Sequence, residues 1–219
     1  MPASRERSIQ PERLDHASPQ ETSESLLDLE RINRYFGGYA VLRTVAAELV
    51  RPQDSFSLLD VGSASGDMGA ELRRRYPRAE VTSLDKRDLH LANAAPPKLV
   101  GDAFQLPFGP RSFDFVFSSL FLHHFSNDQV VDLFESFKNV ARRAVLAIDL
   151  ERGPLAYHFL STSRWLFGWR PITVSDGQIS VNAGFKQQEL LALAMRAGLT
   201  QARVTVHRPW ARLGLVAPV

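Results

Sequence analysis

The chain has 219 residues, 44% of them hydrophobic, with 26 basic and 24 acidic side chains. That content supplies one buried core, and the near-balanced charge lacks the basic excess of a dedicated nucleic-acid binder. No apolar run approaches the length of a membrane span, and the absence of cysteine excludes disulfides, a thiolate nucleophile and cysteine-ligated metals, pointing to a reducing, cytoplasmic setting.

Residues 1–23 are polar and proline-dotted, without the apolar core of a signal peptide, and are expected to form a flexible arm. Over residues 24–50 apolar positions recur at helical spacing (Leu26, Leu29, Ile32, Phe36; then Val41, Leu42, Val45, Leu49), and Gly37-Gly38 divides two helices. An alternation follows. Strands are expected at 56–61, 80–84, 99–100, 113–118 and 144–150, with helices at 67–76, 88–94 and 127–142 between them. Such alternation argues an α/β, doubly wound, mostly parallel sheet with helices on both faces. At 151–184 the rhythm breaks into an aromatic segment, YHFLSTSRWLFGW, and an expected loop, PITVSDGQISVNAG. A helix at 186–196 follows, capped by Gly198. The β-like runs 201–207 and 211–217, with Pro209 between them, read as an antiparallel edge hairpin.

The chemistry concentrates after the first strand, in LLDVGSASGDMG. Gly62 and Gly66 permit a close approach of the backbone to a ligand, Ser63, Ala64 and Ser65 keep the wall low, and Asp60 places a carboxylate at the strand's end. A carboxylate there would repel phosphates. The dinucleotide fingerprint fails at Ala64 and Asp67, and the phosphate-loop pattern fails because Gly66 is followed by Asp67-Met68. The loop therefore suits a nucleoside with cationic rather than phosphate character. Asp67, at the start of the next helix, reads as a cap.

These features resemble the class I S-adenosylmethionine-dependent methyltransferases. LLDVGSASGDMG is similar to their first motif, with Ala64 in place of the usual middle glycine, and VTSLDKRD supplies the acid ending the second strand, Asp85, 19 positions after Gly66. LVGDAFQLPF supplies Asp102 and Ala103 after a short strand, and FDFVFSSLFLHHF looks like the strand beneath the methyl group. The resemblance covers residues 40–150 and implies a Rossmann-like, seven-stranded sheet with an antiparallel C-terminal hairpin strand. It also implies S-adenosyl-L-methionine as cofactor. The cofactor contacts it implies are Asp60, Gly62, Ser63, Ala64 and Gly66 at the methionine end and Asp85 with Lys86 at the ribose. Asp102 and Ala103 would sit at the adenine, and Ser118 and Ser119 on the fourth strand.

Methyl transfer is an in-line displacement that requires no nucleophilic side chain; the protein positions the acceptor and, for a hydroxyl, removes a proton. His123 is the candidate for that proton, with His124 beside it. Tyr35, Tyr157 and Trp165 are candidate acceptor contacts, Tyr35 on N-terminal lid helices (24–50) and the others in an aromatic cap insertion (151–184) of the methyltransferase domain (51–219). The linear spacing of His, Asp and Glu shows no metal-ligand cluster. The expected reaction methylates an oxygen, or secondarily a carbon, of a small apolar or aromatic metabolite. RNA or protein methylation and a non-catalytic cofactor-binding subunit are the alternatives. A nicotinamide oxidoreductase is disfavoured by the broken fingerprint. The sequence leaves the oligomeric state open.

Overall fold

The structure, a computed structural model, describes residues 6–219 save the side chain of Asp15. Five parallel strands form the body: β1 (Phe56–Val61), β2 (Ala79–Asp85), β3 (Lys98–Val100), β4 (Phe113–Ser119) and β5 (Ala141–Leu150). β6 (Arg203–His207) and β7 (Arg212–Pro218) close the chain, β7 lying antiparallel between β5 and β6. The order β3-β2-β1-β4-β5-β7-β6 reverses direction between β1 and β4, which is where an open α/β sheet places its ligand crevice.

Period-two alternation explains why the strands are apolar throughout. Leu59, Val61, Val116, Val145 and Ala147 pack on one face against Phe134 and Phe137 of α4 (Asn127–Val140) and Leu190, Leu193 and Ala194 of α7 (Gln187–Arg196). Leu58, Phe115, Phe117, Leu146 and Ile148 pack on the other, against Val41, Leu42 and Val45 of α2 (Gly38–Ala47) and Leu72 of α3 (Asp67–Arg75). The start of α4 is set by a capping box: Ser126 Oγ accepts from the Gln129 N–H and Gln129 Oε1 from the Ser126 N–H.

Two segments differ from the sequence reading. The expected flexible arm is ordered from Glu6 onward, its first five residues lying outside the described ones. Arg7 donates to the carbonyls of Ala183 and Phe125 at 2.8 and 2.9 Å and covers the Phe185 ring at 4.0 Å; the N–H groups of Arg13 and Leu14 cap Asp176. α1 already begins at Pro19 and runs to Tyr35, behind its own Ser18/Glu21 capping box. The arm is polar, so it is held by hydrogen bonds to distant carbonyls instead of by apolar periodicity. The expected loop PITVSDGQISVNAG is a helix, α6 (Pro171–Ala183), following α5 (Pro154–Phe167). Pro171 sits in its first turn, where a missing N–H costs nothing. Gly177 lets α5 approach: a Cβ there would lie 2.3 Å from Leu160 Cδ1.

The N-terminal helix and the insertion form one cap. Buried Asp28 of α1 accepts from the Arg170 N–H and guanidinium and from Thr173 Oγ1, at 3.0–3.1 Å. Phe36 lies against Phe159, Phe167 and Trp169 with ring centroids 4.8, 5.0 and 5.8 Å away. Among the described residues no helix is long and apolar enough to cross a membrane.

Candidate active site

Between this cap and the carboxyl ends of β1, β2, β4 and β5 lies a cavity of about 1330 Å³. That exceeds the roughly 300–1,000 Å³ of a pocket for one drug-sized ligand, so it has room for a nucleoside and a second molecule.

At the sheet end the cavity is polar. Gly62 takes φ +68, and a Cβ on it would stand 2.2 Å from the Phe121 ring. Gly62→Ala is therefore expected to cost about 1–3 kcal/mol of stability and to displace Phe121, which also lines the cavity. A denaturant titration checks the first effect; an unchanged midpoint would contradict it. Ala64, which stands where the resemblance implies a glycine, takes the left-handed φ +46, so the loop keeps a glycine-like conformation without the glycine.

The carboxylates differ in state. Asp60 is buried, its Oδ2 lacks a hydrogen-bond partner, and desolvation together with the nearby charges of Asp67 and Asp85 pushes its pKa up to about 8. Asp85 goes the other way. Burial opposes its ionised form, but hydrogen bonds from His90, from the Arg87 N–H and from the Ala64 N–H outweigh it and hold the pKa below the usual range. Asp67 is the first residue of α3 and faces the cavity; it accepts from Asn33 Nδ2 at 3.0 Å and from the Met68 N–H in the first turn of the helix. Asn33 Oδ1 and the hydroxyls of Ser63 and Ser119 are further buried polar atoms without partners here. A loop of small residues, an unpaired acid and an ionised acid at adjacent strand ends fit a nucleoside carrying an amino group.

Most of the expected contacts meet in this cavity: Asp60, Gly62, Ser63, Ala64, Asp85, Lys86, Ser119, His123 and His124 line it. Others do not. Gly66 supports the loop from behind at φ +74, where a Cβ would meet Ala94. Ser118 points away from the lining with its neighbour Ser119 inside, as strand alternation requires. Asp102 pairs with Lys86 at 3.0 Å outside the lining, and Ala103 is packed in the core. Tyr35 is 61% exposed while its neighbour Phe36 faces in. α5 presents Ala156, Phe159 and Leu160 inward; Tyr157 is not on that face, and Trp165, 84% exposed, borders a separate open depression with Ser161 and Arg164. Helical periodicity thus turns the expected acceptor contacts Tyr157 and Trp165 away from the cavity and His158 and Phe159 into its lining.

The far wall carries groups that the sequence reading missed. His123 is 3% exposed; its Nδ1 lies 2.7 Å from Asp149 Oδ1 and its Nε2 3.7 Å from Glu12 Oε1. Desolvation lowers its pKa, but the charges and hydrogen bonds of Asp149 and Glu12 overcome this and raise it to about 9. His123 is thus an imidazolium near neutrality, already holding the proton that the expected base would have to accept. His124 stacks on it at 4.3 Å, with its Nδ1 3.9 Å from Glu12 Oε1. Glu12, His123 and His124 bring three ligand-type atoms within 4.8 Å of one another, a grouping invisible in linear spacing because Glu12 comes from the N-terminal segment. The two rings lie only 31° from parallel, so they would have to turn out of their stack to aim both nitrogens at one ion. Asp149 is the next-to-last residue of β5, a lone acid after an apolar run, and Arg212 opens the last strand of the closing hairpin.

Known proteins share this sequence pattern and this fold. Residues 59–148 match the family model described as a methyltransferase domain. Over these residues the chain has a methyltransferase domain. The domain's sheet recurs in the plantazolicin methyltransferase solved with SAH (TM-score 0.71, 13% identity, 94% of this chain and 92% of that one). It recurs in human N-acetylserotonin methyltransferase as well (TM-score 0.68, 18% identity, 96% and 60%). In sequence the methyltransferase domain is 31% identical over 118 residues to demethylmenaquinone methyltransferase of Thermotoga maritima, covering 52% of this chain and 51% of that protein. It is 30% identical over 167 residues to malonyl-[acyl-carrier protein] O-methyltransferase of Laribacter hongkongensis, covering 69% and 53%. The match thus spans about half the length of each of these relatives.

Proposed function

We propose that the protein transfers the methyl group of S-adenosylmethionine to an oxygen of an apolar small molecule. The observation that carries this reading is the single cavity joining Asp60 and Asp85 at the sheet to apolar residues of the cap. The names of the two curated relatives support methyl transfer and differ in acceptor, so the acceptor is argued from the cavity itself.

In this reading Asp85 accepts hydrogen bonds from the ribose hydroxyls, and the small-residue loop 62–65 lies against the methionine end. Asp60, with Asn33 near it, receives the amino group. Lys86 and Arg87, which line the cavity where Asp102 and Ala103 do not, border the adenine. When bound, the cofactor supplies a methyl group on a sulfonium, open to in-line attack. The chain's own work is to hold the acceptor in line and keep water out, with Leu26, Leu29, Ile32, Phe36 and Phe159 lining the cap side. His123 acts as a positioning residue, its charge held by Asp149 and Glu12, while His124 is the more exposed imidazole of the pair.

Thermal-shift titrations with S-adenosylmethionine, S-adenosylhomocysteine and NAD test the reading: both sulfur nucleosides should stabilise the protein and NAD should not. Asp60 adds a second signature. Its carboxyl is largely protonated at pH 7 in the free protein, and a cationic amine beside it favours the ionised form. Binding of S-adenosylhomocysteine at pH 7 should therefore release close to one proton, read as a dependence of calorimetric enthalpy on buffer ionisation enthalpy. Asp60→Asn should abolish that dependence, and a buffer-independent enthalpy in the wild type would contradict the assignment.

A further inference from the structure

Arg212 opens β7, and its register partner is Leu150, the last residue of β5, so it stands at the carboxyl end of the parallel strands. It lines the cavity yet is only 5% exposed. Its Nε is buried without a hydrogen-bond partner, and no ion pair joins its guanidinium to any described residue. Desolvation lowers its pKa to about 10, partly offset by the charge of Asp149. Asp149 is already committed: it accepts from His123 Nδ1 and from the N–H groups of Leu122, His123 and Leu150.

The charges around this wall do not cancel. Arg7, His123, Arg152 and Arg212 face Glu12, Asp149 and Glu189. Arg152 is satisfied by Glu189 at 2.8 Å and Arg7 by backbone carbonyls and Asn127. Arg212 is left as the surplus cation. Burying an unpaired guanidinium costs several kcal/mol, and such a group persists where something else completes it. The cap side is lined mainly by apolar side chains, with Asn33, His158, Thr162 and Ser180 interspersed, so the complement is an anionic group on a largely apolar molecule. A guanidinium fork matches a planar carboxylate in two parallel hydrogen bonds, and one Arg matches one negative charge.

We propose that Arg212 is the specificity-determining residue of the acceptor site and receives a carboxylate carried by an apolar acceptor. This rests on the reading of the cap side of the cavity as the acceptor site. Recognition is then a division of labour: the cap wall selects an apolar body, and Arg212 fixes the end of it that is charged.

The test uses matched probes, decanoate and 3-phenylpropionate against decanamide and 3-phenylpropionamide. Each is titrated into the full chain with and without saturating S-adenosylhomocysteine. Wild-type protein should bind each acid at least about 10-fold more tightly than its amide, a factor worth ~1.4 kcal/mol. In Arg212→Met the ratio should fall to near one, and Arg212→Lys should restore part of it. Affinity for S-adenosylhomocysteine should be the same in all three proteins. Arg212→Met removes an unpaired buried charge and is expected to melt no lower than wild type. The wild-type ratio carries the test without any variant. A wild type that binds acid no better than amide, including one that binds neither, overturns the proposal, as does a preference that survives in Arg212→Met. If S-adenosylhomocysteine fails to bind while the acid preference holds, the methyltransferase reading falls and the anion site stands. If S-adenosylhomocysteine binds and acid and amide bind alike, the anion site falls alone.

Discussion

Asp85→Ala is expected to weaken S-adenosylhomocysteine binding on the order of 100-fold or more, about 3 kcal/mol, the worth of two hydrogen bonds to a charged acceptor. The carboxylate sits at the end of β2 and is ionised at neutral pH because His90, the Arg87 N–H and the Ala64 N–H all donate to it. It ties the loop after β1 to the end of β2 and, in the proposed reading, also offers negative charge to ligand hydroxyls. Asp85→Asn keeps the size and one acceptor oxygen but loses the charge, so it should fall between wild type and Asp85→Ala. Direct calorimetric titration separates the three. Equal affinity in wild type and Asp85→Ala would remove Asp85 from the ligand site.

The second large effect concerns His123 and Asp149. Asp149 is fully buried and satisfies His123 Nδ1 and three backbone N–H groups. Asp149→Ala strips all of these partners and leaves a buried imidazole facing Glu12, a loss of about 3–5 kcal/mol. For a chain of this size that lowers the melting temperature by about 10 °C. The pair also gives wild-type stability a pH dependence. The folded pKa of His123, about 9, lies above its unfolded value of ~6.5, so its contribution is complete below the unfolded value and disappears as pH rises through the folded one. Over that window the loss amounts to about 3 kcal/mol. Asp60 acts in the same direction up to about pH 8, because its folded carboxyl resists ionisation. Asp149, with its pKa depressed, contributes stability that is lost only as pH falls below the ordinary carboxylate range. Denaturant titrations from pH 6 to 9 on wild type and His123→Gln isolate the histidine: the variant should have a shallower slope by its share. Parallel slopes would show that His123 is neutral in the native protein.

What the sequence disclosed follows from how each feature is encoded. β1, β4, β5 and α4 were legible because each buries a periodic apolar set, and LLDVGSASGDMG was legible because a turn that tight admits few residue types. Asp85 was legible through its place after the second strand. The cap was not. α6 carries serine, threonine, proline and a glycine and has no apolar stripe of its own; its helix is held by contacts to α1 and α5, which residue order does not reveal. Glu12 and Arg7 lie in a segment whose composition suggests disorder, and their partners, His123 and the carbonyls of Phe125 and Ala183, are more than 100 positions away. Asp149 and Arg212 sit inside strands where a lone charge is outvoted by its apolar neighbours. The sheet half of the site is therefore local in sequence, and the acceptor half is assembled from distant pieces.

The most direct test of the account is calorimetric titration of the full chain with S-adenosylhomocysteine at pH 7, with NAD as control. The expected result is saturable one-to-one binding of the sulfur nucleoside, lost in Asp85→Ala, and no heat from NAD beyond dilution. Binding of NAD with no response to S-adenosylhomocysteine would contradict it.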